Sequence, residues 1–255
     1  MKAGEKAQNP GAPGLSTTSS PEDCLRRALA SSDPAARARW ARKGLALDSE
    51  DLDPDTQVLL LRQIYLSHLT GRRLRKAADV ATQMVQIGSM ADIAHHDAAR
   101  AFQALGEWEQ AIAEQRLALR AAPPARRAFH AWCLGTVQHF AGDIEGALAS
   151  LKKAERWATR DKSLMRAHSA YVRLSSGTAS PNLARVVADL EKSPLRESYG
   201  RFLLGMIAYE MGDHRRAVVH LRAWLRRHAS ADVAQTLTLR EELRRARSVV
   251  ATLAS

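Results

Sequence analysis

The chain has 255 residues, 45% of them hydrophobic but only 5% aromatic, and its alanine, leucine and arginine usage favours helices that can bury a core. Thirty-eight basic against twenty-seven acidic side chains leave a formal charge of +11, which bears on solubility and acidic partners rather than on fold. No stretch approaches the roughly 18 apolar residues of a membrane-spanning helix. The two cysteines, Cys24 and Cys133, have no metal-ligand spacing and are expected to stay reduced, so the expected setting is cytoplasmic, without membrane insertion.

Residues 1–20 are rich in Gly, Pro, Ser and Thr, with no apolar run long enough for a signal-peptide core, and read as a disordered tail. The remainder, 21–255, reads as a single unit. A degenerate helix pair is expected over 21–48: Pro21 to Ala30 forms its first helix, Asp33 caps the second before Pro34, and WARKGLALD follows without a turn glycine.

Beyond it, Gly71, Gly106, Gly142, Gly177 and Gly212 recur at separations of 35, 36, 35 and 35 residues. Glycine accepts a left-handed backbone at no steric cost, which suits a tight turn between antiparallel helices. Small residues recur around these turns, at Ala98, Ala99, Ala111 and Ala118 about Gly106, and at Gly135, Ala147 and Ala154 about Gly142. About Gly212 they are Gly205 and Ala217, with the bulky Trp224 in the last place. The stretch from Gly106 to Pro123, GEWEQAIAEQRLALRAAP, resembles the second helix of a tetratricopeptide (TPR) repeat.

That resemblance covers about residues 56–228 and implies an all-α fold, a right-handed superhelical solenoid of stacked antiparallel helix pairs. Two repeats depart from the pattern. After Gly71 the small residue arrives one position late, at Ala77; after Gly177 it arrives two late, at Ala184, with Ser180 and Pro181 expected as cap and first-turn proline. Longer turns are expected at both. A C-terminal capping helix is expected over about 231–254, its apolar stripe formed by Leu239, Leu243, Ala246, Val250 and Leu253.

In the TPR family the first helix of each pair lines a concave, ligand-binding surface. Positions 13, 10, 6 and 3 before each turn glycine share one helical face. They place Tyr65 and His68 before Gly71; His96, Arg100 and Gln103 before Gly106; and Phe129, Trp132, Thr136 and His139 before Gly142. Tyr171 precedes Gly177, and Tyr199, Phe202, Met206 and Tyr209 precede Gly212. Seven of the twenty positions are aromatic, where a 5% content would place about one. Such residues anchor peptides in grooves; first helices are equally where a stack buries its core. The stripe has one fixed charge, Arg100, which argues against a carboxylate-clamp peptide site.

Nine arginines (Arg215, Arg216, Arg222, Arg226, Arg227, Arg240, Arg244, Arg245 and Arg247) against three acidic residues give the C-terminal part a basic surface. It is either a ligand for polyanions or a solvated face. No catalytic motif, metal-ligand set or cofactor loop appears. The expected function is therefore a non-catalytic adaptor or scaffold that holds an apolar or helical segment of another protein in an aromatic-lined groove, with homo-oligomerisation open through the end helices. The alternative is a regulatory subunit whose basic C-terminal face meets nucleic acid or another polyanion.

Overall fold

The computed structural model describes residues 20–47 and 52–254. Helices α1 (Pro21–Ala30) and α2 (Pro34–Ala46) form the first pair, followed by α3 (Pro54–Thr70) with α4 (Leu74–Ile87), and α5 (Ala91–Leu105) with α6 (Trp108–Ala121). Next come α7 (Pro124–Ala141) with α8 (Ile144–Trp157), α9 (Lys162–Ser175) with α10 (Leu183–Glu191), and α11 (Tyr199–Glu210) with α12 (His214–Arg227). A 3-10 turn at Pro194–Glu197 leads into α11, and α13 (Val233–Thr238) and α14 (Arg240–Thr252) end the chain. No strand occurs among the described residues, and the helices pack consecutively. The expected tail, 1–20, lies outside the described residues except for Ser20, as does residue 48 at the expected end of the first pair.

Among the described residues, side-chain caps start six of the α-helices. The Ser20 hydroxyl accepts from the Asp23 N–H at 3.1 Å in a capping box, and Asp33 accepts from the N–H groups of Ala35 and Ala36. At Gly142-Asp143 and Gly212-Asp213 two adjacent residues divide the work: the glycine ends one helix with φ of 88° or 77°, and the aspartate caps the next.

The turns after α3 and α9 are longer than those after α5 and α7, as expected, but differ from expectation in detail. Gly71 has an ordinary φ of −80°, and the left-handed residue is Arg72 at 54°. The turn is displaced by one residue, in keeping with the late Ala77. After Gly177, Ser180 and Pro181 do not start α10. The helix begins at Leu183 behind a left-handed Asn182 that makes no capping bond, so the intervening segment remains in the turn.

Side chains tie first helices to one another at the spacing of the turns. Arg62 pairs with Asp97 at 2.6 Å, 35 residues on; Arg126 Nη2 reaches Asp92 at 2.9 Å across 34; Trp132 bonds to His168 and His139 to Ser175, each across 36. Apolar packing concentrates in two clusters. One is built on Tyr65, Leu60, Met84 and Ala98, the other on Tyr171, Phe202, Leu221 and Trp224.

The C-terminal segment departs from a single capping helix. It breaks at Leu239 into α13 and α14, the former carrying β-branched Val233, Thr236 and Thr238, which are weak helix formers. Leu243, Ala246 and Val249 of α14 do cover α11 and α12, but α13 packs against α3 and α5, with Ala234 and Leu237 joining the cluster at the other end. The segment therefore runs along the whole row of first helices from α3 to α11.

Candidate functional site

The row of first helices is where the sequence stripe falls, and the C-terminal segment divides it. Tyr65, His68, Gln103, Thr136, His139, Tyr171, Phe202 and Met206 are buried. These eight are packed against neighbouring helices or lie beneath α13 and α14 rather than on an open surface, Tyr65 and Thr136 lining an internal cavity. His96, Arg100, Trp132, Tyr199 and Tyr209 are half-buried, and Phe129 is 44% exposed. The accessible remnant centres on Phe129 and Trp132.

Polar bonds hold the segment on the row. Arg100 Nη2 donates to the Thr238 carbonyl at 2.9 Å, and Arg240 Nη1 donates to the Ala104 carbonyl at 2.8 Å. The Tyr199 hydroxyl bonds to Glu242 Oε1 at 3.2 Å. Arg245 Nη1 donates to the Tyr171 hydroxyl at 3.1 Å, with its guanidinium 4.8 Å from the centre of the Phe140 ring. Arg240 and Arg245 of the expected basic surface thus act as fasteners, Arg245 half-buried and Arg240 still exposed. Arg215, Arg216, Arg222, Arg226, Arg227, Arg244 and Arg247 are exposed, Arg216 pairing with Glu191 and Arg244 with Glu241.

Beneath α13 and α14 lies a cavity of about 370 Å³. Tyr65 and Leu69 of α3, His96 and Arg100 of α5, Phe129, Trp132 and Cys133 of α7, and Tyr199 of α11 form its floor; Ala234, Thr238, Leu239 and Glu242 close the other side. Trp132 stands edge-on to Tyr199, ring centres 5.1 Å apart, and its Nε1 donates to His168 Nδ1 at 2.9 Å, which fixes the ring. A wider cleft of about 620 Å³ between α8, α9 and α10 is lined by Lys152, Glu155, Arg166, Arg173, Arg185 and Asp189, of which Arg166–Glu155 and Arg185–Asp189 are exposed ion pairs.

His68, His96, His139 and His168 of the row are all held below the ordinary imidazole value. Burial, reinforced by Arg100, lowers His96 to about 3, and burial with Arg245 does the same to His139. Burial, with His139 and Arg245 beside it, takes His168 well below its ordinary value, and burial lowers His68. Burial pushes the Cys133 thiol up to about 12, which leaves it a small packed side chain rather than a nucleophile. No group of three or more His, Cys, Asp or Glu suited to a metal occurs among the described residues, and no helix there is long and apolar enough to cross a membrane.

Sequence reasoning missed Glu242. It is 2% exposed, its Oε1 meets Tyr199, its Oε2 has no hydrogen-bond partner, and burial raises its pKa against the pull of Arg100. The signal was present: Leu239, Glu242, Ala246 and Val249 step by 3, 4 and 3, so an acid stands on the stripe that faces the protein. No protein-family model matches the chain, and no curated protein matches its sequence.

Proposed function

We propose that the chain is a TPR-type repeat module, a right-handed superhelical stack of antiparallel pairs, that works without catalysis by holding a helical segment of another polypeptide against its first helices. The observation that carries this reading is the seating of the chain's own α13 and α14 on that row, fastened from α5 to α11. What the face accepts from its own chain defines what it accepts from a partner: a helix with a narrow apolar stripe and a few polar groups that reach first-helix carbonyls and hydroxyls. The recurrence of side-chain bonds at 34 to 36 residues supports the repeat assignment. A competing helix displaces α13 first, since no residue of α13 is buried.

Affinity capture at low and high salt tests this, with wild type compared against Phe129→Ala/Trp132→Ala and Arg240→Ala/Arg245→Ala variants of unchanged helicity. The expected result is a polypeptide retained at high salt, lost with the first variant and enriched with the second. Nucleic acid or acidic protein that salt alone releases, with neither variant altering it, would replace this reading by a polyanion-binding regulatory subunit acting through the exposed arginines.

A further inference from the structure

We infer that the cavity beneath α13 and α14 is a binding site for a small zwitterion with an apolar body, the chemistry of a free amino acid with a large aliphatic or aromatic side chain. The site does not depend on the partner-helix reading, but a helix that displaced α13 and α14 would remove one wall of it.

Its walls combine three features. Tyr65, Phe129, Trp132 and Tyr199 supply apolar ring surface, and about 370 Å³ falls within the range of small-molecule pockets. Most of the polar groups of the lining are already held by the protein. Arg62 is paired with Asp97, the His96 Nδ1 lies 2.9 Å from Gln115 Oε1, and the Thr136 hydroxyl donates to the Trp132 carbonyl. These bonds fix the lining in place, as a preorganised site requires.

Two groups of opposite charge keep unused bonding capacity. Arg100 spends Nη2 on the Thr238 carbonyl and has only a 3.5 Å contact from Nη1 to Gln103, although a guanidinium carries five N–H donors. Glu242 uses one carboxylate oxygen and leaves the other without a partner, a costly arrangement for a buried group. The cation stands on α5 and the acid on α14, and both line one cavity, where the charge of Arg100 acts on Glu242. A ligand carboxylate satisfies Arg100 and a ligand ammonium satisfies Glu242, while the ligand's apolar body packs on the rings. Either charge alone would leave one protein group unsatisfied.

Binding therefore ties α14 to α5, and it is read in two ways on the full chain. The probes are L-leucine, L-phenylalanine and L-tryptophan, with phenethylamine as the cation alone and phenylpropionate as the anion alone. Calorimetry is expected to show at least one amino acid binding, with each single-charge probe about ten- to a hundred-fold weaker. Hydrogen exchange over residues 233–252 should slow with the amino acid. Glu242→Gln should remove the preference for the amino acid over phenylpropionate, and Arg100→Gln the preference over phenethylamine, each in protein of wild-type helicity. Failure of all three amino acids to bind overturns the inference, as does binding that leaves exchange at 233–252 unchanged or is indifferent to both variants.

Discussion

Arg245 Nη1 donates a hydrogen bond to the Tyr171 hydroxyl at 3.1 Å, joining the last helix to α9 across 74 residues of sequence. The guanidinium also lies over the Phe140 ring, so one side chain on α14 engages two successive first helices. Arg245→Ala removes both contacts and should weaken closure of the segment by about 1–3 kcal/mol. The expected signature is faster amide exchange confined to residues 233–252, with α3 to α8 unchanged. Arg245→Lys should recover only part of the protection, because an ammonium keeps the charge and loses the planar fork. Faster exchange throughout the molecule would mean that the segment is not a separable unit.

The displaced turn after α3 makes two glycine positions behave oppositely. Gly142 sits at φ 88°, where an L side chain is strained whatever the space, so Gly142→Ala should cost about 1–2 kcal/mol. Gly71 has an ordinary φ, and a Cβ there meets the flexible end of Arg73 at 3.1 Å, so Gly71→Ala should be close to neutral. The strain in that turn lies at Arg72, and Arg72→Gly should gain about 0.5–1 kcal/mol, the left-handed penalty less the entropy that glycine costs. Urea midpoints of the three variants check the pattern; equal losses at Gly71 and Gly142 would contradict it.

The turn glycines and the Asp33 cap were legible because they rest on local backbone geometry, which a few neighbouring residues determine. The slip at Gly71 was legible too, through the one-residue delay of Ala77. The fate of the aromatic stripe was not. Tyr65 and Phe129 both lie on the stripe, six and thirteen residues before their turn glycines, yet one is buried beneath α13 while the other lies at the open edge. That difference comes from α13 and α14 folding back onto helices more than a hundred residues earlier, a relationship no local period encodes. Glu242 lay between: its place on an apolar 3-4-3 series was readable, but Tyr199 and Arg100, which give it meaning, come from other helices.

Close approach within pairs makes the helical glycines as demanding as the turns. A Cβ on Gly205 would lie 2.6 Å from Leu221 Cγ and Cδ2, and one on Gly135 would lie 2.8 Å from Leu151 Cγ and 3.1 Å from the Ala147 carbonyl. Alanine gains roughly 1 kcal/mol over glycine in a helix interior, whereas overpacking costs about 1–3 kcal/mol. Gly205→Ala and Gly135→Ala should therefore be neutral to destabilising by up to about 2 kcal/mol. The second should be worse, since a backbone carbonyl cannot turn aside. Thermal unfolding of both proteins measures this, and a gain in stability at either position would show that the pair relaxes more freely than its packing implies.

Acid should loosen the molecule well before its carboxylates titrate in the ordinary range. His96 and His139 are held near 3, and His168 is also strongly lowered, against an ordinary value of 6.5. Between those limits the unfolded chain binds protons that the folded chain does not, so stability is full above about pH 6.5 and falls as pH drops toward 3. Asp97 and Glu242 work in the opposite sense. Burial raises both, so the folded chain holds these protons more tightly than the unfolded chain, and that contribution is lost as pH rises through their folded values. Unfolding midpoints between pH 7.5 and 5 resolve the two contributions. The wild-type midpoint should decline toward pH 5, His139→Gln should flatten that decline, and Glu242→Gln should steepen it by removing the opposing group. A slope that neither variant changes would place the acid sensitivity outside this row of helices.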